Sequence, residues 1–329
     1  MPASAEPRVA LYFDFDNIVI SRYDQLHGDG AYRKDTSRGK APASGTQAAA
    51  RLLEATVDVD AVLDYASTFG TIALARAYAD WSTPINASYR GQLIDRAVDL
   101  VQLFPLVKSM KNGADIRLAV DAVEDLFRLD GLTHIVIVAG DSDYVPLAQK
   151  AKRLGAYVVG IGVAGGTSRA LSAACDEFAD YDALLTTDAS VDDDETSASA
   201  RVEPTPPSEP APKSGRGRSK KAADAAPDAE SSSTSGGGAS APAEPPAASA
   251  PPTRNPGRLL LKALELLRAR NDQEWQPSGA VKNQMQRMDP SFQERKLGFG
   301  SFSDFVKSRA GVVELDEAGN RIRIRPKKG

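Results

Sequence analysis

Up to residue 186 the chain alternates between unbroken apolar runs and amphipathic stretches. Val9–Phe13 and Ile135–Ala139 are continuous apolar runs, the mark of strands buried on both faces. Thr71–Tyr78, Leu100–Val107 and Ala156–Val163 predict three further strands. Helices are predicted at Ile18–Gln25, Gln47–Glu54, Val59–Phe69, Tyr89–Val98, Ala114–Leu129, Tyr144–Leu154 and Arg169–Phe178. Within Ala114–Leu129, the residues Ile116, Val120, Val123 and Phe127 recur at helical spacing, so this helix is amphipathic. Residues 27–44 have no period and predict a surface loop, whose Arg33, Lys34, Arg38 and Lys40 read first as a solvated insertion. Alternating strand and helix predicts an α/β fold with a parallel sheet flanked by helices.

The pattern stops at Thr187–Gly257, where Pro, Ala, Ser and Gly dominate. Such a segment cannot bury enough apolar surface to fold and is expected to be a disordered linker. Order resumes at Arg258–Arg270, with Leu260, Leu264 and Leu267 on one helical face. Pro277–Met288, Phe292–Leu297 and Ser301–Lys307 predict further short helices, and Val312–Leu315 and Ile322–Ile324 predict a hairpin. Short helices followed by a hairpin describe a winged helix. The expected division is therefore 1–186, 187–257 and 258–329.

Composition narrows the chemistry. One cysteine, Cys175, excludes a disulfide framework and a multi-cysteine zinc site, and two histidines leave little for imidazole ligation. The N-terminus lacks the basic segment and apolar core of a signal peptide, and no apolar run reaches the length of a membrane span, so a soluble, cytoplasmic protein with no membrane partner is expected. The net charge of −4 is unevenly spread: −6 over 1–186, −4 over 187–257 and +6 over 258–329. The basic end is the part expected to meet a polyanion. Arg321, Arg323 and Arg325 alternate with Ile322 and Ile324, giving one cationic hairpin face suited to phosphate contacts. Charged strand faces also block edge pairing, and the nucleic-acid reading is preferred over that one. The oligomeric state is not fixed by sequence, and a homo-oligomer stays open.

Carboxylates at strand ends change the picture most. Asp14 and Asp16 follow the first buried strand, and Asp141 and Asp143 follow the fourth. Neighbouring like charges at the end of a buried strand repel and lose hydration, so something must offset them. In open parallel sheets the working site lies beyond the carboxyl ends of the strands, where strand order reverses. Asp115 falls in a helix first turn, where the helix dipole accounts for it as well as a catalytic role does. Clustered carboxylates without His or Cys suit Mg²⁺ or Mn²⁺, and favour phosphoryl transfer.

Three strings then acquire a context. Phe13-Asp14-Phe15-Asp16-Asn17, Lys111-Asn112-Gly113-Ala114-Asp115 through Asp121, and Gly140-Asp141-Ser142-Asp143-Tyr144-Val145-Pro146-Leu147 resemble the NYN domain, a PIN-like nuclease group also called LabA-like. Lys296-Leu297-Gly298-Phe299-Gly300-Ser301-Phe302-Ser303-Asp304-Phe305 resembles the OST-HTH, or LOTUS, domain, a winged-helix module associated with RNA binding. The resemblance implies a metal-dependent endoribonuclease, with RNA as partner and Lys296 among the RNA contacts. It implies Asp14 and Asp141 as metal-binding carboxylates, Asp115 and Asp143 completing the acidic pocket, and Asn17 and Ser142 positioning substrate or water. Two rivals stand beside it. In a haloacid-dehalogenase-type phosphatase, Asp14 would be nucleophile and Asp16 general acid/base. In a non-catalytic RNA-binding regulatory protein, the acidic site would be structural.

Overall fold

The computed structural model describes residues 6–36, 41–104, 113–185, 255–317 and 322–327. Residues 187–254 of the expected linker, with the tract Lys213–Lys221, lie outside the described residues, as do Arg38, Lys40 and Arg321; its last three residues, 255–257, instead cap and open a helix that starts at Pro256. The first part runs β1 (Arg8–Asp14), α1 (Phe15–His27), α2 (Ala31–Asp35), α3 (Gln47–Glu54), α4 (Val59–Ser67), β2 (Thr71–Ala79), α5 (Pro84–Ala87), α6 (Arg90–Asp95) and β3 (Asp99–Gln102). It continues with α7 (Gly113–Arg128), β4 (Leu132–Val138), α8 (Val145–Arg153), β5 (Tyr157–Gly162), α9 (Arg169–Ala174) and β6 (Glu177–Asp180).

The six strands form one parallel sheet in the order β3-β2-β1-β4-β5-β6. β1 lies at its centre because it can be buried on both faces: Val9 through Phe13 are fully buried. Val9, Leu11 and Phe13 enter one apolar layer and Ala10 and Tyr12 the other. Strand order reverses between β1 and β4, and both acidic strand ends open at that reversal.

Three elements differ from expectation. The predicted helix over 169–178 stops at Ala174, and Glu177–Asp180 adds a sixth, edge strand. That strand is only half-buried, so it carries no apolar run to announce it. Residues 27–44 are not all loop: α1 reaches His27 and α2 follows, with Asp24 accepting from the Gly30 and Tyr32 amides at 3.1 and 2.7 Å. The predicted helix over 292–297 is a series of turns.

Helix α7 presents the larger surprise. The apolar stripe that announces it faces outward: Ile116, Val120 and Phe127 are 64, 57 and 69 % exposed. The opposite face meets the sheet with Leu118 and Ala122, and with two buried carboxylates, Asp121 and Asp125. Both carboxylates are satisfied. Tyr12 Oη donates to Asp125 Oδ2 at 2.9 Å, and Arg76 reaches the same oxygen at 2.5 Å. Tyr78 Oη donates to Asp121 Oδ2 at 3.0 Å, with Arg117 on its outer side at 3.0 Å. Tyrosines from β1 and β2 therefore anchor the helix through their hydroxyls.

The last part comprises α10 (Pro256–Asn271), β7 (Gln276–Pro277), α11 (Ser278–Met288), α12 (Phe302–Lys307), β8 (Val313–Asp316) and β9 (Arg323–Pro326). Its antiparallel sheet, ordered β7-β9-β8, and its helices enclose Leu260, Leu264, Met285, Phe305 and Ile324. This is the winged-helix arrangement expected. It adjoins α4: Lys262 pairs with the buried Asp64 at 2.9 Å, and Gln284 donates to Ser67 Oγ at 2.8 Å. Arg270 donates to the Thr68 carbonyl and lies 4.6 Å above the Phe69 ring.

Removing one tyrosine hydroxyl leaves a buried carboxylate short of a donor, at a cost of roughly 1–3 kcal/mol. Tyr12→Phe is therefore expected to lower stability by about that amount while keeping the fold, measured as the shift in the urea midpoint.

Candidate active site

The site is built where β1 and β4 end. Asp14 is the last residue of β1 and caps α1, its Oδ1 accepting from the Asn17 amide at 3.2 Å. Asn17 in turn accepts from the Gly140 amide at 3.0 Å, so its side chain fastens the end of β4 to the start of α1. Gly140 must be glycine for a reason of space: a Cβ there would lie 2.7 Å from the Gly166 carbonyl oxygen. Asp141 caps a single 3₁₀ turn, Ser142–Tyr144, accepting from the Asp143 amide at 3.2 Å and from Ser142 Oγ at 3.4 Å.

That turn aims Tyr144 inward. Its hydroxyl lies 2.9 Å from Asp14 Oδ2 and 2.9 Å from Asp115 Oδ1. One hydroxyl proton cannot serve two carboxylates, so the pair needs a second proton or another cation. Asp14 is the group placed to hold that proton. Burial pushes its carboxyl up to about 7, the nearby Asp115 adding to the rise while the Tyr144 and Asn17 bonds oppose it. The same burial and the two carboxylates hold the Tyr144 hydroxyl far above its ordinary range.

Asp115, Asp141 and Asp143 converge, with one carboxylate oxygen of each within 4.8 Å of the others. Asp14 stands behind this group, joined to it through Tyr144. The donor set is all oxygen, two residues half-buried and one exposed, and three carboxylates this close repel unless a cation or protons lie between them. Such a set fits a hard divalent cation.

Asp16 is turned elsewhere. Its Oδ1 accepts from Asn86 Nδ2 at 2.6 Å and its Oδ2 from the Asp80 amide at 3.4 Å. Both oxygens tie α1 to the start of α5, so Asp16 braces the strand end and points away from the group formed by Asp115, Asp141 and Asp143. In the last part, Arg323 meets Asp316 at 2.6 Å, and Arg325 meets Glu314 at 2.6 Å and Glu274 at 3.2 Å. Arg325 also stacks on Trp275 at 4.5 Å. The described hairpin arginines are thus paired within the domain, whereas Lys296 lies exposed in the turns before α12.

Tyr144 is the site residue that sequence reasoning missed. The only signal was its place in the Gly140–Leu147 string, and nothing local tells that its hydroxyl reaches two distant carboxylates.

A parallel sheet with acidic strand ends at its reversal point is the frame of a PIN-like nuclease. The chain matches the family profile of the NYN domain over residues 8–184 and that of the OST-HTH/LOTUS domain over residues 258–324. It belongs to the NYN-domain family, itself part of the PIN-like nuclease superfamily. It is 32 % identical over 128 residues to an uncharacterised protein of Methanocaldococcus jannaschii, an alignment covering 39 % of this chain and 48 % of that one. The chain thus spans about half the length of this curated relative. A crystal structure of a Vibrio parahaemolyticus protein of unknown function aligns with a TM-score of 0.40 at 18 % identity, over 55 % of this chain and 96 % of the other.

Because Asp14 titrates in the fold near 7 rather than at its ordinary 3.8, the folded protein keeps a proton that the unfolded chain releases between those values. Metal-free protein should therefore lose stability through this group as pH rises across that window. Asp14→Asn should flatten the slope, read as denaturant midpoints against pH for both proteins.

Proposed function

We propose that the chain is a metal-dependent endoribonuclease, with Mg²⁺ or Mn²⁺ at the acidic pocket and the OST-HTH/LOTUS domain holding RNA. The observation that carries this reading is the convergence of Asp115, Asp141 and Asp143 at the sheet reversal of a NYN domain. A divalent ion held there supplies positive charge to phosphate oxygens and acidity to a water. The protein's own residues set the geometry. Asp141 is fixed by the Asp143 amide, and Asp115 by the Tyr144 hydroxyl. Asp14 orients Tyr144 from behind and holds a proton that cation binding to the pocket displaces. Asn17 keeps the two strand ends in register, and Ser142 supports Asp141 from the solvent side.

In the second domain, Lys296 in an exposed turn is the proposed phosphate contact. Arg323 and Arg325 support the hairpin and lie over the ring of Trp275. No described helix is long and apolar enough to cross a membrane. A cytoplasmic location, as composition suggests, is part of the same proposal.

Cleavage of single-stranded RNA with Mg²⁺ or Mn²⁺ tests the reading. Asp141→Asn is expected to lower the rate by at least about 100-fold, and Tyr144→Phe, which acts through Asp115, by about 10- to 100-fold. Wild-type protein that binds RNA and never cuts it across metals and substrates would sink the nuclease reading in favour of a binding protein. Lys296→Glu is expected to weaken RNA binding without changing the cleavage site, and to reduce the slope of log affinity against log salt by about 0.7 or more. An unchanged slope removes Lys296 from the interface.

A further inference from the structure

The outward stripe of α7 has no role in the acidic pocket. It comprises Ile116, Val120, Val123 and Phe127, at steps of four, three and four residues, with Val123 half-buried and packed also against the core beneath the helix. Three of these are more than half exposed, on a helix whose inner face is already committed to the sheet. Solvated helices carry polar residues on such a face, and this spacing is that of a helix–helix seam.

The seam is self-complementary. Its spacing reads the same in both directions, so a two-fold axis between Asp121 and Ala122 sets Ile116 level with Phe127 of a second copy, and Val120 level with that copy's Val123. The flanks select the orientation. One edge carries Arg117 and Glu124, both exposed; the other carries Ala119 and Leu126, both half-buried. In an antiparallel pair like edges face each other, so Arg117 meets Glu124 of the second copy on both sides of the axis. In a parallel pair the charged edge would face Ala119 and Leu126. Within one chain Glu124 contacts Arg128 at 2.9 Å, a surface pair of small worth. Arg117 holds the buried Asp121 through Nε at 3.0 Å, which leaves the two terminal nitrogens of its guanidinium to bridge outward.

We infer that α7 is the interface of an isologous antiparallel homodimer. Four seam residues fall short of the roughly 800 Å² per partner of a standard stable interface, so the dimer is weak and concentration-dependent.

Sedimentation velocity of the full chain over a concentration series tests this, alongside three variants at exposed positions, each checked for folding by circular dichroism. Wild type is expected to shift from monomer to dimer. Val120→Glu should raise the dissociation constant at least about tenfold, since it places charge at the centre of the seam on both copies. Arg117→Glu should weaken the dimer by opposing Glu124, and the double swap Arg117→Glu with Glu124→Arg should restore it. A wild-type monomer throughout the series overturns the inference, whether the stripe is then covered by residues 186–254 or by nothing. A dimer indifferent to Val120→Glu overturns it too, because the contact then lies elsewhere. Failure of the double swap to recover the dimer overturns the antiparallel orientation.

Discussion

Helix α7 is bound to the sheet by hydroxyl-to-carboxylate bonds, and most of the molecule's arrangement follows from them. Tyr12, Tyr78 and Tyr144 project from β1, β2 and the turn after β4, and they meet Asp125, Asp121 and Asp115 along one side of the helix. A neutral hydroxyl beside a buried carboxylate needs fixed geometry to be worth making. Rotation of α7 about its axis would break all three bonds together. Asp115 therefore faces the pocket because its two companions down the helix are pinned, and the apolar residues have nowhere to turn but outward.

The same logic separates what could be read from the sequence from what could not. Buried parallel strands announce themselves, since burial on both faces leaves an unbroken apolar run, and an acid at the end of such a run stands out against it. That made β1, β4 and their terminal aspartates legible. The orientation of α7 was hidden because its buried face contains Asp121 and Asp125 while its exposed face contains Ile116 and Phe127. A binary pattern assigns those faces the wrong way round. The partners that reverse the assignment lie 43 residues away for Asp121 and 113 for Asp125. Asp16 was equally opaque: it shares a dipeptide rhythm with Asp14, but its partners, Asn86 and the Asp80 amide, come from another element.

The hairpin shows a milder form of this limit. The alternation of arginine with Ile322 and Ile324 was right about Ile324, which is fully buried, and wrong about Ile322, which is exposed. It was silent about the opposite strand. Antiparallel register sets Asp316 against Arg323 and Glu314 against Arg325, so each cation meets an anion directly across the ladder. A face that looks cationic along one strand is close to neutral across two.

The winged-helix domain adjoins the chain around Ser67, Thr68 and Phe69, just ahead of β2. That is the amino-terminal edge of the parallel sheet, whereas the carboxylates gather at the other edge. β1 has seven residues, so the two edges lie about 23 Å apart along the strands. The sheet acts as a ruler. The acidic strand ends therefore open away from the surface by which the winged-helix domain is fastened, so that fastening leaves the pocket uncovered from its own side.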